Sequence, residues 1–404
     1  MQSVVASFIA LFASSVALAA PPSFTVIDLG TLGGAESAAF GLNDLGEVVG
    51  WSTVPNGQMH ACRWTEGVAV DLGTLGGTQA RAWAINNAGV VVGESLLAGG
   101  SGNGNFKAFV VKDGTMSALP TLGGNWSVGY AINDAGFVAG IAANASQQEK
   151  MVRWNAGQAG NPITNLGPLT THQRSRGYGI NAGGFIAGWG YTPLGGPNDA
   201  LLYSPPVADI VQIGGFGQFQ NAEAYDVSDA GTVVGSSAPT SGGNWNATLW
   251  LPRAITTPVI LGSFPDYEIS ELYDINGGGA AVGRAYTFNA SAEPSHAIYW
   301  DGATLHDLND LLPEGTEGFL FEARHVNESG TIAGTMMTAN GGFRAVLLVP
   351  VSAPHSDLDG DGQVSAADLA ILLGAWGSAG PGDLDGDGSV GAADLAILLG
   401  EWTA

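Results

Sequence analysis

A ten-residue pattern that recurs seven times constrains this 404-residue chain more than any other feature. It reads small residue-Ile-Asn-Asp-x-Gly-x-Val-Val-Gly, and successive copies lie 43 to 51 residues apart. The copies occupy residues 41–50, 84–93, 131–140, 179–188, 226–235, 274–283 and 325–334. Repeats of this length are structural units that bury a hydrophobic surface only by stacking on their neighbours.

Each repeat contains four short segments with β-strand character. They end in or contain Ile-Asn, Val-Val-Gly, Ala-x-x-Trp and Val-Asp-Leu-Gly. Gly, Asn and Asp separate these segments and favour tight turns. In the first turn, the Asn side chain is expected to bond the backbone two residues on, and Gly in the fourth position accepts a positive φ. The pattern predicts an all-β fold, a seven-bladed β-propeller of four-stranded blades over residues 24–349. A solenoid is the alternative, but its capping units are not visible.

The ends of the repeat array predict how the ring closes. Residues 24–29 have the pattern of a fourth strand, yet no other strand of a repeat precedes them. The last repeat stops at its third strand, residues 345–349. We therefore predict that the amino-terminal strand completes the last blade, which removes two exposed sheet edges.

Composition excludes nucleic acid as a class of partner. The chain carries 63 Gly, only 12% charged residues and a net charge of -24. Nucleic acid is excluded as a partner because no Lys/Arg clusters are present to neutralise phosphates. The single cysteine, Cys62, forms no intrachain disulfide and is predicted to be a small buried residue.

The amino terminus predicts export. An unbroken run of apolar and small residues covers 4–20, and Ala17-Leu18-Ala19 fits a small-x-small cleavage site, although no Lys or Arg precedes the run. We assign residues 1–19 to a signal peptide, because the run is short for a membrane span. The processed protein is predicted to be secreted or at the cell surface, with no membrane span.

An acidic tail follows a linker at residues 350–355. Residues 356–404 hold eight Asp and one Glu without any Lys or Arg. Two 12-residue segments place oxygen ligands at positions 1, 3, 5, 7 and 12 and Gly at position 6, as a Ca²⁺ loop requires. The predicted ligands of two Ca²⁺ ions are Asp357, Asp359, Asp361, Gln363 and Asp368 in the first loop and Asp383, Asp385, Asp387, Ser389 and Asp394 in the second.

A helix is predicted after each loop, over residues 366–376 and 392–402. In the first, Leu369, Leu372, Leu373 and Trp376 are expected to share one packed face. Ser365 is expected to cap the amino terminus of that helix, because Asp368 follows three residues later.

The repeat motifs resemble the HAF family of extracellular repeats. The resemblance covers roughly residues 24–349 and rests on A-x-G-I-N-D-x-G-x-V-V-G, H-A-F-x-W and D-L-G-T-L-G-G. The tripeptide that names the family is altered here, for example to His60-Ala61-Cys62. The resemblance implies secretion and a propeller, and it implies no particular ligand.

The tandem loop-helix units, with Asp at position 12, resemble a type I dockerin. This resemblance implies a calcium-dependent docking module with a cohesin as partner. Both loops, however, carry Ala-Ala at positions 10 and 11, residues 366–367 and 392–393, where dockerins that bind cohesin commonly carry polar residues. A cohesin-like protein or another surface protein is therefore the expected partner of residues 356–404.

Variable segments of the repeats share one end of the predicted propeller, which we call the open face. Variable loops on a rigid scaffold often bind ligands, and aromatic rings stack on sugars. Half-buried packing is the alternative role for such rings. The predicted polysaccharide-binding residues are Trp51, Trp126, Trp189, Tyr191 and Trp245. Asp44, Asp134 and Asp229, in the tight turns at the opposite end, are interpreted as structural.

Three functions are compatible with these features. The first is a non-catalytic binding or scaffold propeller with a calcium-dependent docking module, associated with polysaccharide binding or breakdown. The second is a polysaccharide hydrolase or lyase, for which only Asp226 and Asp274 occupy matching positions in neighbouring repeats. The third is a component of a surface layer or an adhesion protein.

Overall fold

A computed structural model describes residues 22–100, 105–167, 173–191, 198–205, 209–214, 221–238, 243–264, 266–287, 295–351, 356–380, 382–385 and 387–403. The chain divides into two compact units, one spanning Ser23–Pro350 and the other containing residues 351–404. Within the described ranges, no helix has both the length and the apolarity that a membrane crossing requires. The predicted signal peptide lies outside the described residues.

The first unit consists of short strands. Its described part contains 28 of them and one 3-10 helix, Leu308–Leu311. In chain order the strands are β1 Ser23–Asp28, β2 Ser37–Leu42, β3 Val48–Thr53, β4 Met59–Thr65, β5 Val68–Gly73, β6 Gly76–Ile85, β7 Val91–Leu97, β8 Phe106–Lys112, β9 Thr115–Ala118, β10 Gly123–Ile132, β11 Phe137–Asn144, β12 Glu149–Asn155, β13 Ile163–Asn165, β14 Arg174–Ile180, β15 Ile186–Tyr191, β16 Asn198–Ser204, β17 Asp209–Gln212, β18 Asn221–Val227, β19 Val233–Ala238, β20 Asn246–Trp250, β21 Val259–Gly262, β22 Ile269–Ile275, β23 Ala281–Tyr286, β24 His296–Trp300, β25 Leu305–Asp307, β26 Phe319–Val326, β27 Ile332–Met337 and β28 Phe343–Val351.

Consecutive strands form groups of four. Five groups are separate four-stranded sheets, and β2–β5 and β6–β9 join into one eight-stranded sheet through a single parallel pairing of Met59 with Gln79. The last sheet has the order β1-β28-β27-β26, so the amino-terminal strand completes it, which confirms the predicted closure. The N–H of Leu29 also donates to the carbonyl of Ala345 at 3.0 Å. The first unit is an all-β, propeller-like fold.

The tight turns have the geometry that their residues predict. Asn43 Oδ1 accepts hydrogen bonds from the N–H groups of Leu45 and Glu47 at 3.1 and 2.9 Å. Gly46 closes the turn with φ +78°, a conformation that residues with a Cβ rarely adopt. The same arrangement recurs at Asn86, so one local solution links the first two strands of successive groups.

The core lies between neighbouring sheets. Trp64, Trp154 and Trp250, each on the third strand of its group, are buried, as expected for core residues. Cys62 is also fully buried, which confirms the prediction. Near the closure, Leu42 belongs to one cluster with side chains of the last sheet such as Ala345, so burial continues across the junction.

The second unit contains two helices, α1 Ala366–Gly374 and α2 Ala392–Gly400. Their core consists of Val364, Leu372, Val390 and Leu398, all buried. The Ser365 Oγ accepts from the N–H of Ala367, which confirms the predicted cap.

The prediction of one packed face on the first helix was partly wrong. Leu372 is buried, but Leu373 and Trp376 are 51% and 48% exposed. The helix ends at Gly374, two residues earlier than expected, so Trp376 lies beyond its last turn. A helix this short buries only the side chains that face the partner loop and helix.

Candidate functional site

The inner strand of each group carries a β-bulge close to its end. In β6, for example, the pairing steps from Ala82–Gly93 to Ala84–Val92 and leaves Trp83 unpaired. Bulges change the direction of side chains, and here the consecutive residues Trp83 and Ala84 both line one central cavity. The register shifts at the matching position in all seven inner strands, and the unpaired residue of each lines the channel that they enclose.

Large side chains at the bulged positions form a closed ring across this channel, which we call the aromatic floor. Adjacent rings have centroids 4.4 to 5.4 Å apart, within the range of favourable aromatic pairs. The guanidinium of Arg324 lies 4.2 Å from the Tyr273 centroid and 5.7 Å from that of Phe40, and so completes the ring. The members are Phe40, Trp83, Tyr130, Tyr178, Tyr225, Tyr273 and Arg324.

The channel cavity has a volume of about 450 Å³ and extends from the aromatic floor to the tight turns. Exposed turn residues such as Asp44, Asn87 and Asp134 form its rim, so it opens at the tight-turn end. This is the end opposite the open face on which we expected ligand binding.

Below the rim, a relay of amide hydrogen bonds joins neighbouring groups. The Asn at the third position of the ten-residue pattern donates its Nδ2–H to the backbone carbonyl of the equivalent residue in the next group. The pairs are Asn43 to Asn86 at 3.2 Å, Asn86 to Asn133 at 3.1 Å, Asn133 to Asn181 at 3.0 Å, Asn181 to Ser228 at 3.0 Å, Asn276 to Asn327 at 2.9 Å and Asn327 to Asn43 at 3.2 Å. Among the described residues no such bond leaves Ser228, whose side chain is shorter and lacks an amide, so the relay is interrupted between β18 and β22.

The acidic turn residues have a structural role, as interpreted from the sequence. Asp134 accepts the N–H of Asn87 at 2.8 Å, and Asp229 accepts that of Ala182 at 2.8 Å. Asp44 accepts the N–H of Glu328 at 3.1 Å and thereby bridges the last group and the first. These carboxylates satisfy backbone donors of neighbouring groups and also surround the mouth of the cavity.

One side of the cavity carries ionisable residues, which we call the acidic wall: Asp226, Asp274 and His325. They occupy equivalent positions on β18, β22 and β26, directly after the bulged residues. Asp274 Oδ2 accepts the N–H of Val326 at 2.7 Å and lies 3.3 Å from His325 Nδ1. The Asp274 and Asp226 carboxyl groups are close enough to influence each other's pKa.

Burial changes the titration of all three groups of the acidic wall. It raises the pKa of Asp274 to about 7. Burial, together with the neighbouring Asp274 charge, raises the pKa of Asp226 well above its ordinary value. Burial lowers the pKa of His325, because it disfavours the imidazolium form. The wall therefore holds protons that exposed carboxylates would have lost at neutral pH.

A second set of charges lies on the far side of the aromatic floor. Tyr225 and Tyr273 donate their hydroxyls to Glu223 and Glu271 at 2.6 and 2.7 Å, which directs these hydroxyls away from the cavity. The floor cation Arg324 pairs with Glu322 at 2.7 Å. These glutamates hold the floor side chains in place, and none of them lines the cavity.

The predicted polysaccharide-binding residues lie toward the open face, four of them on strands and Trp245 directly before β20. Trp51 is buried in β3, and Trp189 stacks on Arg176, whose guanidinium is 4.8 Å from its ring. Trp126, Tyr191 and Trp245 are half-buried. Several neighbouring variable segments lie outside the described residues, so a sugar-binding role for these aromatic side chains stays a prediction.

The two predicted calcium loops each bring three carboxylates together. Ligand oxygens of Asp357, Asp359 and Asp361 lie within 4.8 Å of one another, and the second triad repeats this arrangement with Asp383, Asp385 and Asp387. Asp383 Oδ1 is buried without a hydrogen-bond partner. An orphaned buried carboxylate oxygen, set among further carboxylates, fits a hard cation.

The acids at position 12 are held by the backbone. Asp368 accepts the N–H groups of Leu358 and Ser365, both at 2.7 Å. Asp394 accepts that of Gly391 at 2.6 Å, and the amide donors around it lower its pKa. Each of these acids thus joins the start of its loop to the helix that follows. Metal ligation by Gln363, Ser389, Asp368 and Asp394 remains a prediction.

Sequence reasoning identified Asp226 and Asp274 but missed their neighbours in the cavity. The floor residues stand three positions before the key Asn of each repeat, so the aromatic column was visible in the aligned repeats. His325 stands in the same column as Asp226 and Asp274. Alignment by column, instead of reading each repeat along the chain, would have revealed both sets.

No protein-family model matches the chain, and no curated protein matches it either. Its fold is similar to several solved structures. An oligogalacturonate lyase in complex with manganese is 14% identical, with 82% of this chain and 97% of that chain covered and a TM-score of 0.49. An oligogalacturonate lyase from Vibrio parahaemolyticus is 9% identical, with coverages of 80% and 93% and a TM-score of 0.48.

The β-propeller domain of the Trilobed protease from Pyrococcus furiosus is also similar. It is 10% identical, with 66% of this chain and 78% of that chain covered and a TM-score of 0.43. Likenesses this distant concern the arrangement of strands, so the propeller-like architecture rests on the sheet order described above.

Proposed function

We propose that the chain is a secreted binding protein, a seven-bladed propeller followed by a calcium-dependent, dockerin-like docking module. The observation that carries the proposal is the pair of Asp triads in tandem loop-helix repeats. Three carboxylates in each triad repel one another unless a cation neutralises them, and Ca²⁺ takes six to eight oxygen ligands. Asp357 and Asp383 would provide the first ligand of each ion.

An exposed apolar surface supports a docking role for residues 356–404. Leu373 and Trp376 are 51% and 48% exposed, and Leu399 and Trp402, 26 residues later, are 53% and 38% exposed. A duplicated apolar pair on a unit this small fits a protein partner better than a solvated tail. The partner would be a cohesin-like protein or another surface protein.

A calcium titration followed by a pull-down tests this function. The full chain should bind two Ca²⁺ ions by calorimetry, and a Leu373→Ala, Trp376→Ala, Leu399→Ala, Trp402→Ala variant should keep that stoichiometry while losing retention on cohesin-coated or cell-wall fractions. A parent protein with no calcium binding would contradict the proposal. So would equal retention of parent and variant.

A second candidate function is acid-base catalysis on a polysaccharide end bound in the channel cavity. It is favoured by Asp274, whose pKa of about 7 suits a group that gains and loses protons at neutral pH. Hydrolysis by two carboxyl groups requires a separation of roughly 5–10 Å with a water or sugar between them, whereas the Asp226 and Asp274 carboxyls interact directly with each other. A lyase-type proton abstraction therefore suits the pair better than hydrolysis. Screening uronate polysaccharides for unsaturated products, with Asp274→Asn as control, tests this candidate.

A further inference from the structure

We propose that the channel cavity is a binding site for a small organic cation, an ammonium group carried on a compact apolar body. Asp226 and Asp274 would receive the ammonium, and the aromatic floor would contact the apolar body. The inference deepens the proposed binding role of the propeller. It depends neither on calcium nor on residues 356–404, so its failure and that of the docking proposal are distinguishable.

The acidic wall is not required by the architecture. At the equivalent position four of the seven inner strands carry Gly or Ala, namely Gly41, Ala84, Ala131 and Gly179. These strands approach closely, and a Cβ on Gly41 would lie 2.7 Å from the Trp83 carbonyl oxygen. Small residues at this position are sufficient for the inner strands to pack. The buried Asp226 and Asp274 therefore lower the stability of the fold without being needed for packing. Such groups concentrate at functional sites.

Two departures from the repeat pattern fall in the same sector of the ring. Ser228 interrupts the amide relay between β18 and β22, and Gly277 takes the place of the acidic or amide residue at the rim there. The lack of a side chain at Gly179 also leaves room for the Asp226 carboxyl, because a Cβ there would collide with Asp226. The cavity wall is therefore reduced beside the two carboxyl groups, which gives a ligand access to them.

The charges around the cavity select a cation over an anion. Asp44, Asp134, Asp229 and Glu328 surround the mouth, and the positive group in the floor, Arg324, is already paired with Glu322. A metal ion fits less well. In the described part of the chain, the ligand clusters within 4.8 Å are the two triads of the C-terminal unit, and the acidic wall is not among them. Aromatic rings beneath the carboxyl groups favour an organic cation.

Cyclohexylamine and cyclohexanol are matched probes, since they differ in the ammonium group alone. An alkylammonium titrates near lysine, at ~10.4, and stays charged throughout the experiment. Calorimetry on the full chain with calcium present should show cyclohexylamine binding at least ~10-fold more tightly than cyclohexanol at about pH 8.5. Binding should weaken at about pH 5.5, because Asp274, whose pKa is raised to about 7, gains a proton, and any charge on His325 would oppose the ligand. Asp44 and Glu328 are the other acids that face this group.

The variant Asp226→Asn, Asp274→Asn keeps the shapes of the side chains and removes both charges. It should lose at least ~10-fold in affinity for cyclohexylamine, while Asp209→Asn, on the outer strand β17 of the preceding group, should bind as the parent does. Thermal melting of both variants establishes that they are folded. The proposal is overturned by equal affinity for amine and alcohol, by the absence of saturable amine binding, or by a folded double Asn variant that binds like the parent.

Discussion

The two units of this protein are both built from repeated sequence, yet they satisfy their polar groups in different ways. In the propeller-like unit, the turn Asn side chains bond the backbone of the following group, the turn Asp side chains bond that of the preceding group, and Asn327 closes the circle onto Asn43. In the C-terminal unit, the Asp triads point their oxygens at one another. The first unit supplies its own hydrogen-bond partners, whereas the second requires a cation from solution.

Removing the amino-terminal strand should have the largest effect on this contrast. Deletion of residues 21–30 removes β1 and the fully buried Phe24, and it exposes the edge of β28. An unpaired edge and an opened core promote aggregation. We expect no soluble folded propeller, as measured by size-exclusion chromatography and thermal melting. A deletion variant with the cooperative melting temperature of the parent would show that the ring does not need β1.

Calcium removal should unfold the second unit and spare the first. In the part of the C-terminal unit that the structure describes, the core has only four fully buried apolar side chains, too few for a segment below ~50 residues without a metal or a disulfide. We expect isolated residues 354–404 to be disordered in EDTA and to gain helix with two equivalents of Ca²⁺, as measured by circular dichroism. Mg²⁺ should substitute poorly, because it demands a tighter octahedron.

The variant Asp357→Ala, Asp383→Ala provides the control for this experiment. Each change removes the first ligand of one loop, so the fragment should stay disordered when calcium is added. Replacement of the exposed Ala379 by Ser, outside both loops, should leave the calcium response intact. Equal helix content with and without EDTA in the parent fragment would refute metal-coupled folding.

The contribution of the amide relay to stability can be measured by removing one of its members and by adding the missing one. Asn327→Ala removes the bond to Asn43 and leaves the N–H of Thr331, now bonded at 2.9 Å, without its acceptor. We expect a loss on the order of 2–4 kcal/mol in the free energy of unfolding. Asn56→Ala, in an exposed turn, should cost less than ~1 kcal/mol.

Ser228→Asn should restore the missing member of the relay. An added buried amide bond is worth about 0.5–1.5 kcal/mol, so this variant should unfold at higher denaturant concentration than the parent. If the variant is no more stable than the parent, or less stable, other groups fill the space beside Ser228 and the relay does not stabilise the ring.

The last effect concerns the pH dependence of stability. The pKa of Asp274 is raised from 3.8 to about 7 in the folded protein, so the folded state binds more protons than the unfolded state between these values. The free energy of unfolding contributed by this group must fall as pH rises through that interval. Asp274→Asn should therefore gain stability relative to the parent from about pH 4 to pH 8, by on the order of 1–3 kcal/mol. A difference between variant and parent that does not change with pH would contradict this.

Much of the fold could be read from the sequence because its determinants are local. The Asn-x-x-Gly turns, the strand segments and the Ser365 cap each depend on residues within a few positions of one another, and the structure shows them as predicted. Closure through β1 followed from counting strands. The length of the packed face in the first helix did not follow, because Leu373 and Trp376 fit the helical period but lie beyond the contact that a nine-residue helix makes.

The candidate site was harder to predict because it combines residues from all seven repeats. Asp226 and Asp274 were recognised as matching acids, but their direction depends on the bulges, which alternation of side chains does not reveal. The same bulges turn Trp83 and Tyr130 into the channel, where alternation alone would have placed neighbouring residues on opposite faces. The relay between Asn43 and Asn86 depends on the spacing of whole groups, which no single repeat encodes.

The pairing of β1 with β28 also has a consequence for the order of events during folding. During synthesis β1 emerges before the other strands and its partner β28 emerges last. The hydrogen bond between Asn327 and Asn43 joins residues 284 positions apart. Until the final repeat has emerged, β1 has no strand to pair with, and the array of sheets has two unpaired ends. Contacts this distant along the chain make folding slow. Completion is therefore a single late event, and a chain truncated before its last repeat would stay open at both ends.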